Sequence, residues 1–143
     1  WAEALRRRAR IPLLHIADAS LAAVQKQLPR ARRVAIMATP VTIQSGFYQR
    51  RMQMRGLEYH AIDAALLEQQ IMPGIRAVKS GEVAVATDLL SAAAGHVFAS
   101  GAEAVLMACT EIPIALAAND DPRLIDTSAA LASACVAWAH ADA

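Results

Sequence analysis

An α/β fold, a doubly wound parallel sheet flanked by helices, is predicted by three observations. Two apolar runs of strand length, Val34-Ala35-Ile36-Met37-Ala38 and Ala104-Val105-Leu106-Met107-Ala108, carry no polar interruption. That is the pattern of strands buried on both faces. Segments with helical periodicity alternate with these runs, as strand, helix, strand units require. Composition is the third: 56% of the residues are hydrophobic, many of them alanine, and only 4% are aromatic, which suits helices packed tightly on a sheet. At 143 residues the chain is long enough for one domain with a core and too short for two full ones.

Taken in order, residues 2–10 read as the tail of a helix, with Arg6, Arg7, Arg8 and Arg10 as a short basic cluster on a solvated face. No aromatic interleaving accompanies it, so nucleic-acid binding is not expected. Pro12 stops that helix and residues 13–16 read as a short strand, with His15 a satisfied core histidine. Asp18 and Ser20 offer N-cap oxygens for a helix to about Leu28, which Pro29 ends. Strand 34–38 runs into a turn in which Thr42 caps a helix carrying Ile43, Phe47 and Met54 on one stripe, closed by Gly56. Residues 57–62 follow as a second strand. Beyond Asp63 the chain turns helical again, with breaks at Met72-Pro73-Gly74 and Lys79-Ser80-Gly81.

Residues 82–100 form the longest helix, its stripe running through Ala86, Leu90, Ala93 and Val97, and Gly101 caps its end. Strand 104–108 then delivers Cys109. A short helix from Ile112 leads to a polar turn at 119–122, a brief extended piece at Leu124-Ile125, and a last helix capped by Asp126 or Thr127. Leu131, Cys135 and Trp138 make the stripe of that helix, which places Cys135 in the core.

Several classes of function are set aside by what the sequence lacks. Net charge is +1, so no strong electrostatic partner is implied. No apolar run reaches the length of a membrane span, and neither a membrane role nor a secretory leader is expected. Cys109 and Cys135 stand in unlike contexts without metal-ligand spacing, so no metal is expected and a reducing cytoplasm fits best. No glycine-rich phosphate loop follows any strand.

Chemistry is expected at Cys109. It stands at the carboxyl end of a strand, just before a helix, where open α/β folds place their ligands. The amides of the helix that Pro113 opens would favour thiolate over thiol, and the competing reading is a buried, inert cysteine. The 39–46 turn should face the same crevice, so Thr39, Thr42, Ser45 and Thr110 supply hydroxyls suited to a small ligand with carboxylate groups. Each of these also serves as an ordinary cap or turn residue. Glu111 either tunes the proton of Cys109 or opposes the positive helix start, and Lys79 either reaches an anionic ligand or is simply solvated.

The block Ala108-Cys109-Thr110-Glu111-Ile112-Pro113 is joined by Ala38-Thr39-x-x-Thr42-Ile43-x-Ser45-Gly46-x-Tyr48 and by Ile11-Pro12-Leu13-Leu14-His15-Ile16-x-Asp18. In this order they resemble the aspartate/glutamate racemase family over most of the chain. The resemblance implies a cofactor-independent racemase of acidic amino acids, built from two similar α/β lobes with the active site between them. It implies two facing cysteines, one per lobe, of which one thiolate removes the α-proton while the opposite thiol returns one to the other face. Cys109 matches the second of these, and Thr110, Thr39 and Thr42 match positions that hold substrate carboxylates. Lys79 falls about where the substrate-binding lysine is expected. The same superfamily includes hydantoin racemases, maleate isomerases and arylmalonate decarboxylases, so the resemblance does not fix the substrate. A non-catalytic lobe that binds a dicarboxylate is the alternative from another class.

The first cysteine of the pair, in a Cys-Asn-Thr block, is expected upstream of Trp1, and Cys135 does not replace it. On this reading residues 1–28 are a remnant of the first lobe, residues 29–122 form the second catalytic lobe, and residues 123–143 form a C-terminal helix returning to the first. Faces left without partners predict a homo-oligomer formed by self-association or strand exchange. Small-angle scattering checks this, and a monomeric profile from a compact, fully ordered chain contradicts it.

Overall fold

The computed structural model describes residues 2–9 and 12–141. Four parallel strands form one sheet in the order β2-β1-β3-β4: β1 is Arg33–Met37, β2 is Glu58–His60, β3 is Ala104–Met107 and β4 is Leu124–Asp126. The centre is the β1–β3 pair, in register from Val34 opposite Ala104 to Met37 opposite Met107. All four residues of β3 are buried, as are the last four of β1. This is why neither strand shows polar alternation: helices cover both faces.

Side chains alternate between two cores. On one face Val34, Ile36, Ala38, Ala104 and Leu106 pack against Ala17, Leu21 and Val24 of α2 (Ile16–Gln27). Tyr48 and Met52 of α4 (Phe47–Met54) complete that layer, behind α1 (Ala2–Arg8) and α3 (Pro40–Ser45) in chain order. On the other face Ala35, Met37, Val105 and Met107 meet Ile75 of α6 (Met72–Lys79), Leu90 and Val97 of α7 (Val83–Ala99), and Ile112 of α8 (Glu111–Ala115). A short α5 (Ala64–Leu66) precedes α6, and α9 (Thr127–Ala141) packs on α2.

Several local expectations are corrected. Residues 13–16 pair with no strand; His15 caps α2, its Nδ1 accepting from the Ala17 amide at 3.1 Å. Asp18 and Ser20 lie inside that helix. Asp18 is salt-bridged to Arg51 and Arg55, and the Ser20 hydroxyl donates to the Ile16 carbonyl. Arg10 lies outside the described residues.

Thr42 caps nothing, because Thr39 stands at the N-cap with Pro40 opening α3. The expected single helix is broken at Gly46, whose φ of +68° suits glycine and over which the Arg50 guanidinium lies 2.8 Å from where a Cβ would be. Met54 is consequently solvent-facing, at 85% exposure. Met72-Pro73-Gly74 is no break either. A π-helical turn over Leu67–Ile71 leads directly into α6, so Pro73 lies within continuous helix, one turn after the hydrogen-bond pattern has widened. Gly74 instead makes room for Leu90.

Cys135 is exposed and Trp138 is 45% exposed, so the stripe of α9 is not core in the single chain. Its small residues Ala129, Ala130, Ser133 and Ala134 line a groove with Ala19 and Ala23 of α2.

The two helix glycines give opposite predictions. A Cβ at Gly74 would lie 2.6 Å from Cγ of the fully buried Leu90, whereas one at Gly95 would meet nothing within 4 Å. Gly74→Ala is expected to destabilise by about 1–3 kcal/mol despite the helix propensity gained. Gly95→Ala, exposed on α7, is expected to stabilise by about 0.5–1 kcal/mol. Urea unfolding of the two variants checks both signs.

Candidate functional site

In this strand order the chain leaves β1 for β2 on one side and returns to β3 on the other, so the β1 and β3 ends flank the topological switch point. Beyond Met37 and Met107 the two exits stay joined, the Ala108 amide donating to the Met37 carbonyl at 2.9 Å. Thr39 and Cys109 therefore leave the sheet side by side, each followed at once by a helix start. A buried Thr127 braces the same edge from β4, its hydroxyl donating to the Met107 carbonyl at 3.0 Å. Tyr48 is 2% exposed, and that burial pushes its phenol above the ordinary tyrosine value. The sequence offers Thr127 only as a candidate cap of the last helix and Tyr48 only within the family-like motif, and neither is assigned a supporting role there.

The half-buried Cys109 thiol donates to Glu111 Oε2 at 2.9 Å. The exposed Thr110 hydroxyl donates to the same oxygen at 3.1 Å. On the other side of the carboxylate, Lys79 Nζ lies 3.6 Å from Glu111 Oε1. Four of the residues predicted from sequence, Lys79, Cys109, Thr110 and Glu111, thus form one cluster centred on the carboxylate. Thr39 and Thr42 pair with each other, hydroxyl to hydroxyl at 3.2 Å, on the neighbouring exit. Ser45 is exposed and spends its hydroxyl on the Thr42 carbonyl at 2.6 Å, a local turn bond that keeps it out of the cluster.

The electrostatics reverse the expected thiolate. Burial first, and the hydrogen bond given to Glu111 second, push the Cys109 thiol up to about 11. The Glu111 amide and the Lys79 ammonium pull the other way without prevailing. The helix start was expected to dominate, but α8 is only five residues long and a full carboxylate charge stands closer to sulfur than any helix dipole can match. Glu111 is held below the usual carboxylate range, chiefly by the Cys109 hydrogen bond and also by Thr110 and Lys79. At neutral pH the pair is therefore thiol and carboxylate.

Among the described residues no group of three or more His, Cys, Asp or Glu is placed to hold a metal, and no helix is long and apolar enough to cross a membrane. A groove of about 450 Å3 between α2 and α9 lies on the opposite sheet face from the core against which Cys109 packs.

The family model described as Asp/Glu/Hydantoin racemase matches residues 1–135. The chain belongs to this family. A Yersinia pestis crystal structure described as a candidate Asp/Glu racemase superposes with a TM-score of 0.75 at 26% identity, over 96% of this chain and 60% of that one. An aspartate racemase homologue from Pyrococcus horikoshii superposes at 0.82 and 20% identity, over 96% of this chain and 61% of that one, and shares the fold. The chain thus spans about three fifths of the length of either solved racemase-like structure. An uncharacterised protein encoded in the 3′ region of pnlA in Pectobacterium carotovorum is 29% identical over 116 residues, which is 81% of this racemase-family chain and 75% of its relative.

The Cys109–Glu111 pair generates a pH prediction. Iodoacetamide alkylation of Cys109, followed by peptide mass spectrometry to separate it from the exposed Cys135, should rise toward a midpoint near 11. In Glu111→Gln the midpoint should fall, because the anion that opposes thiolate is gone. Unchanged profiles would show that Glu111 does not set the thiol's protonation.

Proposed function

We propose that this chain performs acid/base chemistry at the α-carbon of a small acidic amino acid, as an aspartate/glutamate racemase-like isomerase. Cys109 is one of the two groups that exchange the α-proton. The observation that carries this reading is the placement of a half-buried, protonated thiol at the switch-point edge of a racemase-family sheet, fixed on its carboxylate acceptor at 2.9 Å. A thiol so held gives a proton to an α-carbanion on its own face of the substrate, and in the opposite direction the thiolate takes one. Inversion then needs a second acid/base group on the opposite face. The two solved relatives extend beyond the region this chain matches, which supports a second lobe as the source of that group.

Thr39, Thr42 and Thr110 are proposed to bind the substrate carboxylates, with Lys79 as their counter-ion. Their support is position: two hydroxyls lie on one exit, and one hydroxyl and one ammonium on the adjacent exit. No cofactor is part of this reading, which also retains a cytoplasmic location. Self-association is supported by the apolar positions that α9 leaves in solvent, Val136 at 58% and Trp138 at 45% exposure.

The test uses the chain with L- or D-aspartate and glutamate in heavy water, following α-deuterium uptake by NMR and chirality by chromatography. Exchange is expected to fall by about 10²-fold or more in Cys109→Ala, the scale of losing a positioned acid/base group. Exchange that survives this substitution defeats the mechanism. Binding without exchange in the wild-type chain favours the non-catalytic lobe instead.

A further inference from the structure

The Glu111 carboxylate sits where a ligand's carboxylate would be welcome. It draws on a lysine ammonium and a threonine hydroxyl, both open to solvent, and it lies next to the reacting sulfur. Lys79 Nζ is 3.6 Å from Oε1, with 61% of the Lys79 side chain exposed against 18% for Glu111. Thr110, also exposed, donates to Oε2. The fixed partner of this ion pair is thus the carboxylate, anchored through Oε2 by both Cys109 and Thr110, and the mobile partner is the long lysine side chain.

We propose that Glu111 is an internal competitor for the site's cation: it holds Lys79 while the site is empty and yields it to the carboxylate of an incoming dicarboxylate or acidic amino acid. The inference rests on the reading above and deepens it by assigning Glu111 a role in ligand affinity. An exposed ion pair at this distance contributes at most about 1 kcal/mol, so an incoming anion can displace it readily.

The exchange has a chemical consequence at sulfur. With Lys79 drawn away and a second anion nearby, Glu111 loses the smallest of the contributions that hold it acidic, and the Cys109 thiol loses the same ammonium, one of the groups that lower its proton affinity. The lost ammonium and the added anion both keep the proton on sulfur, so Cys109 meets the ligand as a thiol that can give a proton.

Succinate is the probe, because it offers two carboxylates without an ammonium group for Glu111 to bind. Isothermal calorimetry at pH 7.5 should show Glu111→Gln binding succinate about two- to fivefold more tightly than the wild-type chain, the range an exposed ion pair converts to. Lys79→Met should bind it more weakly. At pH 5.5, repeated in two buffers of different ionisation enthalpy, the wild-type chain should take up more protons on binding than Glu111→Gln, whose binding reports the ionisation of succinate without that of Glu111. Circular dichroism and unfolding midpoints establish that both variants are folded. Equal or weaker binding by Glu111→Gln overturns the competition while the Cys109-dependent exchange reaction still stands. Failure of all three proteins to bind succinate overturns it as well, and removes dicarboxylate recognition from the proposed function.

Discussion

Everything near Cys109 depends on the pairing of β1 with β3. Because Val34 to Met37 run parallel to Ala104 to Met107 in register, both strands end at the same height and both exits emerge together. The Ala108–Met37 hydrogen bond carries that alignment one residue past the ladder, and the Thr127 hydroxyl fastens the Met107 carbonyl from the other side. A parallel sheet covered on both faces has no freedom to slip by one residue, since a slip would exchange its two cores. Ala35 and Met37 belong to one core while Val34 and Ile36 belong to the other, so a slip would drive large side chains into packed layers on both sides. The position of the thiol is thereby fixed by burial far from the thiol itself.

On that frame the local chemistry is compact. Three consecutive residues supply the sulfur, a hydroxyl and a carboxylate, and α6 brings Lys79 to them from a distant part of the chain. Lys79 is the last residue of its helix. The close approach of α6 and α7 at Gly74 and Leu90 helps to set how that helix lies. Packing in one core therefore connects to electrostatics at the edge, through a helix that ends in a charge.

What was legible in the sequence follows from how local its cause is. Strands β1 and β3 could be read because burial on both faces leaves an uninterrupted apolar run. Helix α7 could be read because Ala86, Leu90, Ala93 and Val97 all face one core. The residues at the two exits could be named because a strand end followed by a helix start is itself a sequence pattern. Residues 13–16 were misread because an apolar run four residues long does not distinguish a strand from an extended helix lead-in, and the His15 cap depends on a ring nitrogen meeting an amide two residues on. The Thr42 helix was misread because Thr39 and Pro40 start it earlier and Gly46 stops it, a matter of backbone angles and of where Arg50 lies. Cys135 was misplaced because heptad-like spacing marks a face without saying whether anything covers it.

The protonation state of Cys109 shows the limit most directly. Its helix-start position argued for thiolate, and that argument is correct in kind, since the Glu111 amide and Lys79 do lower the thiol's proton affinity. They are outweighed by two effects of opposite sign, partial burial and a carboxylate acceptor at 2.9 Å. Both depend on distance, and sequence separation alone does not give distance: Glu111 lies two residues from Cys109 whether its side chain turns toward sulfur or toward solvent. Once it turns inward, the site holds its own anion, and the fold keeps the proton on sulfur instead of lowering the thiol's proton affinity.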